Sequence, residues 1–377
     1  MQKIEQNDSD IFNSIMSHAS KCKLGDEHRV WLQSSMQRIH ADFNRSADTH
    51  LQAFDLPIYP DVKIYLKDES SHPTGSLKHR LARSLILYGL CNGEIGPNTH
   101  LIEASSGSTA VSEAYFARLL NLPFIAVIPK NTSREKIKQI ARYGGQVREV
   151  EAADIYTQAQ HLADELGGYY LDQFTNAERA TDWRSNNNIA ESLFQQMKKE
   201  THPSPHWIVV GAGTGGTSAT LGRYVRYRAD KYSQTKICVA DPDNSVFFEG
   251  FRTKNSAHKA PVRSRIEGVG RPRVEPSFIG NVVDRMLKVP DRFSFAAAWW
   301  LREKTGQAYG PSTGLNICAT LLLAREMNSA AQAGSIVTLI CDNGERYIDT
   351  CYSKQWLASN HIDIDLELAA FKNAIKN

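Results

Sequence analysis

The sequence has no long apolar run, no excess of one charge and no closely paired cysteines, and each absence narrows its function. No stretch approaches the roughly 18 unbroken apolar residues of a membrane-spanning helix. The 44 Lys and Arg residues nearly balance the 41 Asp and Glu residues, so we expect neither nucleic acid nor a membrane as a partner. Residues 1–8 are too polar for a signal peptide, and we therefore expect a cytoplasmic protein.

Cysteine is scarce, and its spacing predicts no dedicated site. The chain has six cysteines among its 377 residues, and none forms a Cys-x-x-Cys pair. This pattern favours neither a zinc site nor a disulfide framework, and we expect no bound metal. The length allows two domains or one large α/β unit.

Short, apolar, β-branched runs alternate with helical patterns through most of the chain. Strands are predicted at residues 64–66, 100–104, 124–128, 169–171, 207–210, 237–240 and 336–340. Such alternation favours an α/β fold in which helices cover both faces of parallel sheets. Residues 1–50 are polar and predicted helical. In folds of this class ligands bind at the carboxyl ends of the strands.

Lys78 lies in the run Pro73–Arg80, a turn that leads directly into an amphipathic helix. Ser76 is the predicted N-cap, which places Lys78 in the first helical turn. A cation there opposes the helix dipole, so a purely solubilising role explains it poorly. Lysine at a sheltered turn is suited to forming a Schiff base with a carbonyl group. We therefore predict that Lys78 is catalytic, with an ordinary surface lysine as the alternative.

A glycine-rich turn, Gly211–Thr217, follows one predicted strand and opens a helix at 218–228. Glycines let backbone amides approach an anion closely, and the helix N-terminus adds a favourable field. The turn therefore predicts a phosphate site, with hydroxyl donors from Thr214 and Thr217. The same glycines also match the dinucleotide pattern G-x-G-x-x-G, for which Asp241 could bind the ribose. A nicotinamide-dependent dehydrogenase is thus an alternative.

A second turn, Glu103–Thr109, carries four hydroxyl groups and one glycine between a strand and a helix. One hydroxyl would suffice to cap the helix, so the excess indicates a cradle for a carboxylate. Gln173, after another predicted strand, could add an amide to the same carboxylate. An ordinary surface glutamine is the alternative for that residue.

Taken in order, these motifs resemble the cysteine synthase and cystathionine β-synthase family of pyridoxal-phosphate enzymes. The resemblance runs from about residue 62 to residue 350 and includes the late run Gly344–Tyr347. It implies the tryptophan-synthase-β-like architecture of fold type II, in which two parallel-sheet α/β domains hold the cofactor in their cleft. The implied domains are a helical extension at 1–45, a smaller mobile domain at 85–185, and a larger cofactor-binding domain at 46–84 plus 186–377.

The resemblance also implies roles for individual residues. Pyridoxal 5′-phosphate would be held covalently by Lys78. The phosphate would be held by Gly213, Thr214, Gly215, Gly216 and Thr217. The substrate carboxylate would be held by Ser105, Ser106, Gly107, Thr109 and Gln173. A homodimer is implied as well.

Three features depart from the synthase pattern. Ser108 replaces an asparagine beside the cofactor's phenolic oxygen, and Asp342 replaces a serine at the pyridine nitrogen. A carboxylate at Asp342 would favour a protonated pyridine and a stronger electron sink, which argues against strict synthase activity. Arg271 and Arg273 are additions, and both a solvated basic loop and an active-site role remain open for them.

Four further segments, at 44–50, 77–83, 176–184 and 270–273, look like the bacterial branch of L-cysteine desulfhydrases. That branch converts L-cysteine to hydrogen sulfide, ammonia and pyruvate by α,β-elimination through an aminoacrylate. A cysteine synthase or cystathionine β-synthase that carries out β-replacement is the first alternative. The dehydrogenase and a non-catalytic amino-acid-binding module are the others.

Overall fold

A computed structural model describes residues 25–46, 48–184 and 188–374 of the chain. Within these ranges the strands are β1 (His50–Ala53), β2 (Val62–Asp68), β3 (Leu101–Glu103), β4 (Phe124–Pro129), β5 (Gln146–Val150), β6 (Tyr169–Tyr170), β7 (Trp207–Gly211), β8 (Lys236–Pro242), β9 (Arg285–Val289) and β10 (Gly334–Ile340). The α-helices are α1 (Asp26–Ser46), α2 (Lys78–Cys91), α3 (Ser108–Leu120), α4 (Arg134–Ala141), α5 (Ile155–Leu166), α6 (Gln173–Ala180), α7 (Ile189–Met197), α8 (Gly216–Tyr227), α9 (Ala229–Tyr232), α10 (Phe247–Thr253), α11 (Asp291–Thr305), α12 (Pro311–Ser329), α13 (Lys354–Ser359) and α14 (Asp365–Ala374).

The larger sheet has the strand order β1-β2-β10-β7-β8-β9. Only β1 runs antiparallel to its neighbour, and the other pairs are parallel. Strand β10 is buried along its whole length because helices cover both faces of the sheet. Ile336 packs with α11 and α12 on one face, and Val337 packs with α7 and α8 on the other.

The smaller sheet has the order β5-β4-β3-β6, and all its pairs are parallel. Helices α2 and α3 pack on one face through side chains that include Leu85 and Phe116. Helix α5 covers the other face through Ala159 and Leu162. The loops that follow β3 and β7, one from each sheet, carry the two motifs predicted to bind ligand.

The predicted α/β fold and all seven predicted strands are confirmed. Strands β1, β5 and β9 were not predicted, and the antiparallel edge strand β1 departs from the expected all-parallel sheets. Each of these strands lies at a sheet edge, where β1 and β5 consist only of exposed and half-buried residues. Edge strands lack the continuous apolar run of a buried strand, so the sequence signal is weak.

The helical extension is seen in part, because α1 covers Asp26–Ser46 while residues 1–24 of that prediction lie outside the described residues. The domain boundaries near 45, 85 and 185 stay a prediction. Among the described residues, no helix is both long and apolar enough to cross a membrane.

Candidate active site

A cavity of about 290 Å³ lies where the loops of the two sheets face each other. Its lining includes Lys78, the whole loop Ser105–Thr109, Gln173, Gly213, Thr214, Gly215, Thr217 and Asp342. Gly216 is the one predicted site residue that does not line it. Gly216 lines a neighbouring cavity of about 870 Å³, together with Thr214 and Thr217. Residues from five separate stretches of chain thus meet at one place.

Lys78 is the first residue of α2 and lines this cavity. The N-cap is Leu77 and not Ser76 as predicted. Ser76 still contributes, because its hydroxyl accepts a hydrogen bond from the Lys78 amide at 3.3 Å. The Leu77 amide donates to the Cys341 carbonyl at 2.8 Å, which fixes the turn against the end of β10. Burial lowers the pKa of the Lys78 amine, so more of it is unprotonated at neutral pH.

A buried ion-pair network holds the first turn of α2 in place. Arg80 donates from Nε to Glu69 Oε2 at 2.7 Å and from a terminal nitrogen to Asp48 Oδ1 at 2.8 Å. The Glu69 side chain is completely buried, and Arg80 holds its pKa well below the usual range despite that burial. A buried, hydrogen-bonded pair of this kind fixes geometry. Lys78 is therefore anchored by the residues around it.

At Gly213 and Gly215 the glycine loop packs so closely against other backbone that a Cβ would not fit. A Cβ on Gly213 would lie 2.2 Å from the carbonyl oxygen of Gly268. Gly215 has a φ of +93°, and a Cβ there would lie 2.5 Å from the Cα of Phe278. Helix α8 begins at Gly216, two residues before its predicted start, so the loop is the N-terminus of a helix. These features suit the predicted role of the loop as a backbone cradle for a phosphate group.

The hydroxyl loop is held differently, through side chains. The Thr109 hydroxyl donates to Gln173 Oε1 at 2.8 Å, so two of the five predicted carboxylate-binding residues are hydrogen-bonded to each other. With Oε1 turned toward Thr109, the side-chain N–H groups of Gln173 are available to a ligand. The Gly107 amide donates to the Ser105 hydroxyl at 3.3 Å. A Cβ on Gly107 would meet no atom within 4 Å.

Asp342 supplies a buried carboxylate with one oxygen unused. Its Oδ2 accepts a hydrogen bond from the Tyr347 hydroxyl at 2.6 Å. Its Oδ1 is buried and has no hydrogen-bond partner among the described residues. Burial raises the pKa of Asp342 to about 6, which still leaves it mostly ionised at neutral pH. A buried acceptor without a donor calls for a cationic or N–H ligand group, and a protonated pyridine nitrogen fits that need.

Arg346 is a site residue that sequence reasoning missed. It lines the cavity and donates one hydrogen bond to the Ser108 hydroxyl and another to Gln139 Oε1 at 3.1 Å. It therefore links the end of the larger sheet to α3 and α4 beside the smaller one. Arg346 belongs to the run Gly344–Tyr347, which the sequence analysis singled out. The run alone does not show which residues Arg346 contacts.

Arg271 also lines the cavity, whereas Arg273 lies outside it. The Arg271 guanidinium stacks over Phe174 at 4.2 Å, donates to the Tyr156 hydroxyl and pairs with Glu275 Oε1 at 2.8 Å. Arg273 stacks over Tyr156 at 4.5 Å and pairs with Glu275 Oε2 at 2.9 Å. Two guanidinium groups share one carboxylate, so this cluster carries one net positive charge at the cavity.

Asp241 does not lie where the ribose-binding carboxylate of a dinucleotide site has to lie. Its side chain is completely buried, accepts a hydrogen bond from the Phe248 amide at 3.0 Å and pairs with Lys288 at 3.5 Å. A ribose-binding carboxylate has to reach the ligand at the end of its strand. The burial of Asp241 therefore counts against the dehydrogenase alternative.

Comparison with known proteins points to one family of enzymes. A family model described as "Pyridoxal-phosphate dependent enzyme" matches residues 49–342. The chain is 56% identical over 340 residues to L-cysteine desulfhydrase Cds1 of Mycobacterium tuberculosis, a match that covers 89% of this chain and 92% of that protein. It is 30% identical over 312 residues to the N-(2-amino-2-carboxyethyl)-L-glutamate synthase of Ralstonia nicotianae, covering 79% of this chain and 84% of that protein.

Solved structures show the same fold. A hydrogen sulfide-producing enzyme from Fusobacterium nucleatum superposes with a TM-score of 0.69 at 24% identity, covering 82% of this chain and 98% of that one. At that level of identity the likeness concerns the architecture alone. The predicted fold-type II architecture is therefore confirmed.

Proposed function

The chain belongs to the family of pyridoxal-phosphate-dependent enzymes, and we propose that within it this protein is an L-cysteine desulfhydrase. The reaction is L-cysteine plus water to hydrogen sulfide, pyruvate and ammonia, in which the Cβ–S bond and the Cα–N bond are broken. The observation that carries this choice is the 56% identity with a named L-cysteine desulfhydrase over 89% of the chain.

Pyridoxal 5′-phosphate, when bound, withdraws electrons from the α-carbon of the amino acid attached to it. We assign its phosphate to residues 213–217, where backbone packing and the start of α8 form the anion cradle. We assign its pyridine nitrogen to the unpaired oxygen of Asp342 and its phenolic oxygen to Ser108. Ser108 accepts a hydrogen bond from Arg346, which leaves its own O–H free to donate.

Lys78 serves first as the covalent anchor and then as the base. Its amine is sheltered, and its lowered pKa increases the fraction able to accept a proton. In this assignment Nζ takes the proton from the substrate α-carbon. The buried ion pair between Arg80 and Glu69 keeps the helix that carries Lys78 fixed meanwhile.

The substrate carboxylate is assigned to Ser105, Ser106, Gly107, Thr109 and Gln173. This cradle combines hydroxyl groups, the side-chain amide of Gln173 and the start of α3. All three are neutral donors suited to an α-carboxylate. We place the net positive charge of the cluster at Arg271 and Arg273 near the departing thiolate, where it favours loss of sulfide.

A β-replacement enzyme is the second candidate, because a synthase from Ralstonia nicotianae is 30% identical to this chain. Elimination and replacement share the removal of the α-proton and the loss of the β-substituent. They diverge afterwards, when either water or a second nucleophile consumes the unsaturated product. Ser108, Asp342 and the two arginines are the local features that set this chain apart from the synthase pattern.

We further propose that L-cysteine is the physiological substrate, that the protein works in the cytoplasm, and that it acts as a homodimer. We also propose that the part of the chain at 85–185 closes over bound substrate. Closure of this kind would shelter the cavity from water during the chemistry.

Incubation of the holoenzyme with L-cysteine alone tests the proposed activity. We expect sulfide and pyruvate to form steadily and in equal amounts without any second substrate. If sulfide forms only in traces until an acceptor is added, and is then released without pyruvate, the protein is a replacement enzyme and the desulfhydrase assignment is wrong.

A further inference from the structure

Glu103 is a completely buried carboxylate directly behind the substrate-carboxylate cradle. It is the last residue of β3 and is absent from the cavity lining. Its Oε1 accepts a hydrogen bond from the Ala104 amide at 2.9 Å, and its Oε2 accepts one from the Gln173 amide at 3.1 Å. One side chain therefore binds two segments that are far apart in sequence.

The backbone amides of Ala104 and Gln173 lie at the start of the two segments that form the carboxylate cradle. Ala104 leads into the hydroxyl loop, while Gln173 is the first residue of α6. On the ligand side the halves meet again, through the hydrogen bond of 2.8 Å from Thr109 to Gln173. Glu103 thus closes a ring of hydrogen bonds that sets the distance between the loop and the Gln173 amide.

Glu113, on α3, is the neighbour of Glu103 and is also completely buried. Neither of its carboxyl oxygens has a hydrogen-bond partner of normal geometry among the described residues. Burial and the closeness of Glu103 raise the pKa of Glu113 well above its usual value. Tyr170 and Asp172 are the other titratable groups that act on Glu103, and neither is a cation.

The two carboxyl groups are not equivalent, because their donors differ. Burial raises the pKa of Glu103 as well, but two backbone N–H groups oppose that rise by stabilising its charged form. Glu113 has no such donors. Of the two adjacent buried carboxyl groups, Glu113 therefore holds its proton more tightly, and Glu103 is the one whose two oxygens accept hydrogen bonds.

We propose that Glu103 is a positioning residue that holds the two halves of the substrate-carboxylate cradle at their working distance, with Glu113 as its neutral, protonated partner. This inference rests on the proposed function, since it assumes that the cradle binds an amino-acid carboxylate. It gives a structural role to Glu103 and Glu113, two buried carboxyl groups that contact neither substrate nor cofactor.

Substitution at either position separates charge from shape. In Glu103→Gln, the new NH₂ group cannot accept a hydrogen bond, so either the Ala104 or the Gln173 amide loses its partner. Glu113→Gln keeps a permanent N–H donor beside Glu103 and should behave like the wild type. Glu113→Leu has a similar volume but no donor, so Glu103 loses that neighbouring donor and keeps only its two backbone N–H groups.

The test is titration of each holoenzyme with L-alanine, which has the substrate carboxylate but no leaving group, followed by the visible spectrum of the bound cofactor. The KM and kcat for L-cysteine are measured on the same proteins. For Glu103→Gln and Glu113→Leu we expect alanine affinity to fall and KM to rise about tenfold, the effect of one unpaired buried group. The kcat should fall less than KM rises, and the spectrum without alanine should not change.

Asp241 is also a completely buried carboxylate, and it does not line the cavity. Asp241→Asn is therefore the matched control and should leave KM unaltered. Wild-type KM in both Glu103→Gln and Glu113→Leu would overturn the inference while leaving the proposed function intact. If Glu103→Gln fails to fold, the two variants at Glu113 test the inference instead. Equal KM values for Glu113→Gln and Glu113→Leu overturn the inference, and a raised KM in Glu113→Leu alone supports it. A wild-type protein that neither responds to alanine nor degrades cysteine would overturn the proposed function, and the inference with it.

Discussion

The two loops that we propose to bind ligands are held in place in opposite ways. In the glycine loop at 211–217, the backbone is packed so closely that a Cβ on Gly213 would lie 2.2 Å from the Gly268 carbonyl oxygen. In the hydroxyl loop at 105–109, a Cβ on Gly107 would meet nothing within 4 Å. The first loop is fixed by steric contact. The second is fixed by hydrogen bonds between side chains and backbone, with Glu103 behind it.

This difference suits the two ligands. A cofactor that stays bound benefits from a rigid, pre-formed cradle, because no ordering cost is incurred at binding. A substrate that enters and leaves in every cycle needs a cradle that can open and reform. Hydrogen bonds between side chains are easier to break and remake than close backbone packing. We therefore expect substitutions in the first loop to act on cofactor affinity and those in the second on KM.

Lys78→Ala should give the largest effect, because it removes both the covalent anchor and the base. We expect pyruvate formation from cysteine to fall by roughly a thousandfold or more. Mass spectrometry after borohydride reduction should find no cofactor attached to the variant. Lys136→Ala removes the other lysine that lines the cavity and should keep the attached cofactor. Sulfide release at the wild-type rate by Lys78→Ala would refute its assignment.

Gly213→Ala and Gly107→Ala compare the two loops directly. The new Cβ at 213 forces the backbone apart at a cost of about 1–3 kcal/mol, so cofactor affinity should fall by roughly a hundredfold. At 107 the backbone is extended, with a φ of −108°, so alanine should leave cofactor affinity unchanged and raise only the KM for cysteine. Equilibrium dialysis against pyridoxal 5′-phosphate measures both affinities. Equal losses in the two variants would show that the loops are not held differently.

Asp342→Asn probes the electrostatic end of the cofactor site. Because the pKa of Asp342 is raised to about 6, its negative charge is present at neutral pH and is lost as the pH falls through that value. Wild-type cofactor affinity should therefore weaken below about pH 6. In Asp342→Asn the cofactor affinity should be weaker at neutral pH, and it should not weaken further as the pH falls through about 6. Parallel affinity curves for the two proteins from pH 5 to 8 would contradict this role.

Arg271→Gln and Arg273→Gln should give the smallest effects and separate two neighbouring charges. Arg271 lines the cavity, and Arg273 pairs with the same Glu275 from outside. We expect the kcat for cysteine to fall by roughly fivefold in Arg271→Gln, as the loss of about 1 kcal/mol of stabilisation of the departing thiolate gives, and to change less in Arg273→Gln. Steady-state kinetics of both variants measure the contrast, and a larger effect at Arg273 would reverse the assignment.

Sequence alone predicted the parts of this site that are local in the chain. The turn before Lys78 and the glycine loop carry their own signals, because glycine, proline and hydroxyl residues report backbone conformation directly. The strands buried on both faces were equally legible from their apolar runs. Ser76 was wrongly predicted as the cap, since the helix begins one residue later than the pattern suggested.

The missed features depend on contacts between distant residues. Ser108 and Arg346 are 238 residues apart, and Glu103 meets the Gln173 amide across 70 residues. Each of these residues taken singly could equally lie on a surface. Only the fold shows that Glu113 is buried beside another acid, or that Arg271 stacks on Phe174. Such pairs carry no periodicity or spacing that a single sequence displays.

The most direct test of the central claim is the ratio of sulfide to pyruvate when the holoenzyme turns over L-cysteine in the presence of homocysteine. An eliminating enzyme releases both products from every cysteine it consumes, so the account predicts a ratio that stays at about one as homocysteine is raised. A replacement enzyme would pass the carbon skeleton to the added thiol. Sulfide that increasingly exceeds pyruvate would contradict the assignment as a desulfhydrase.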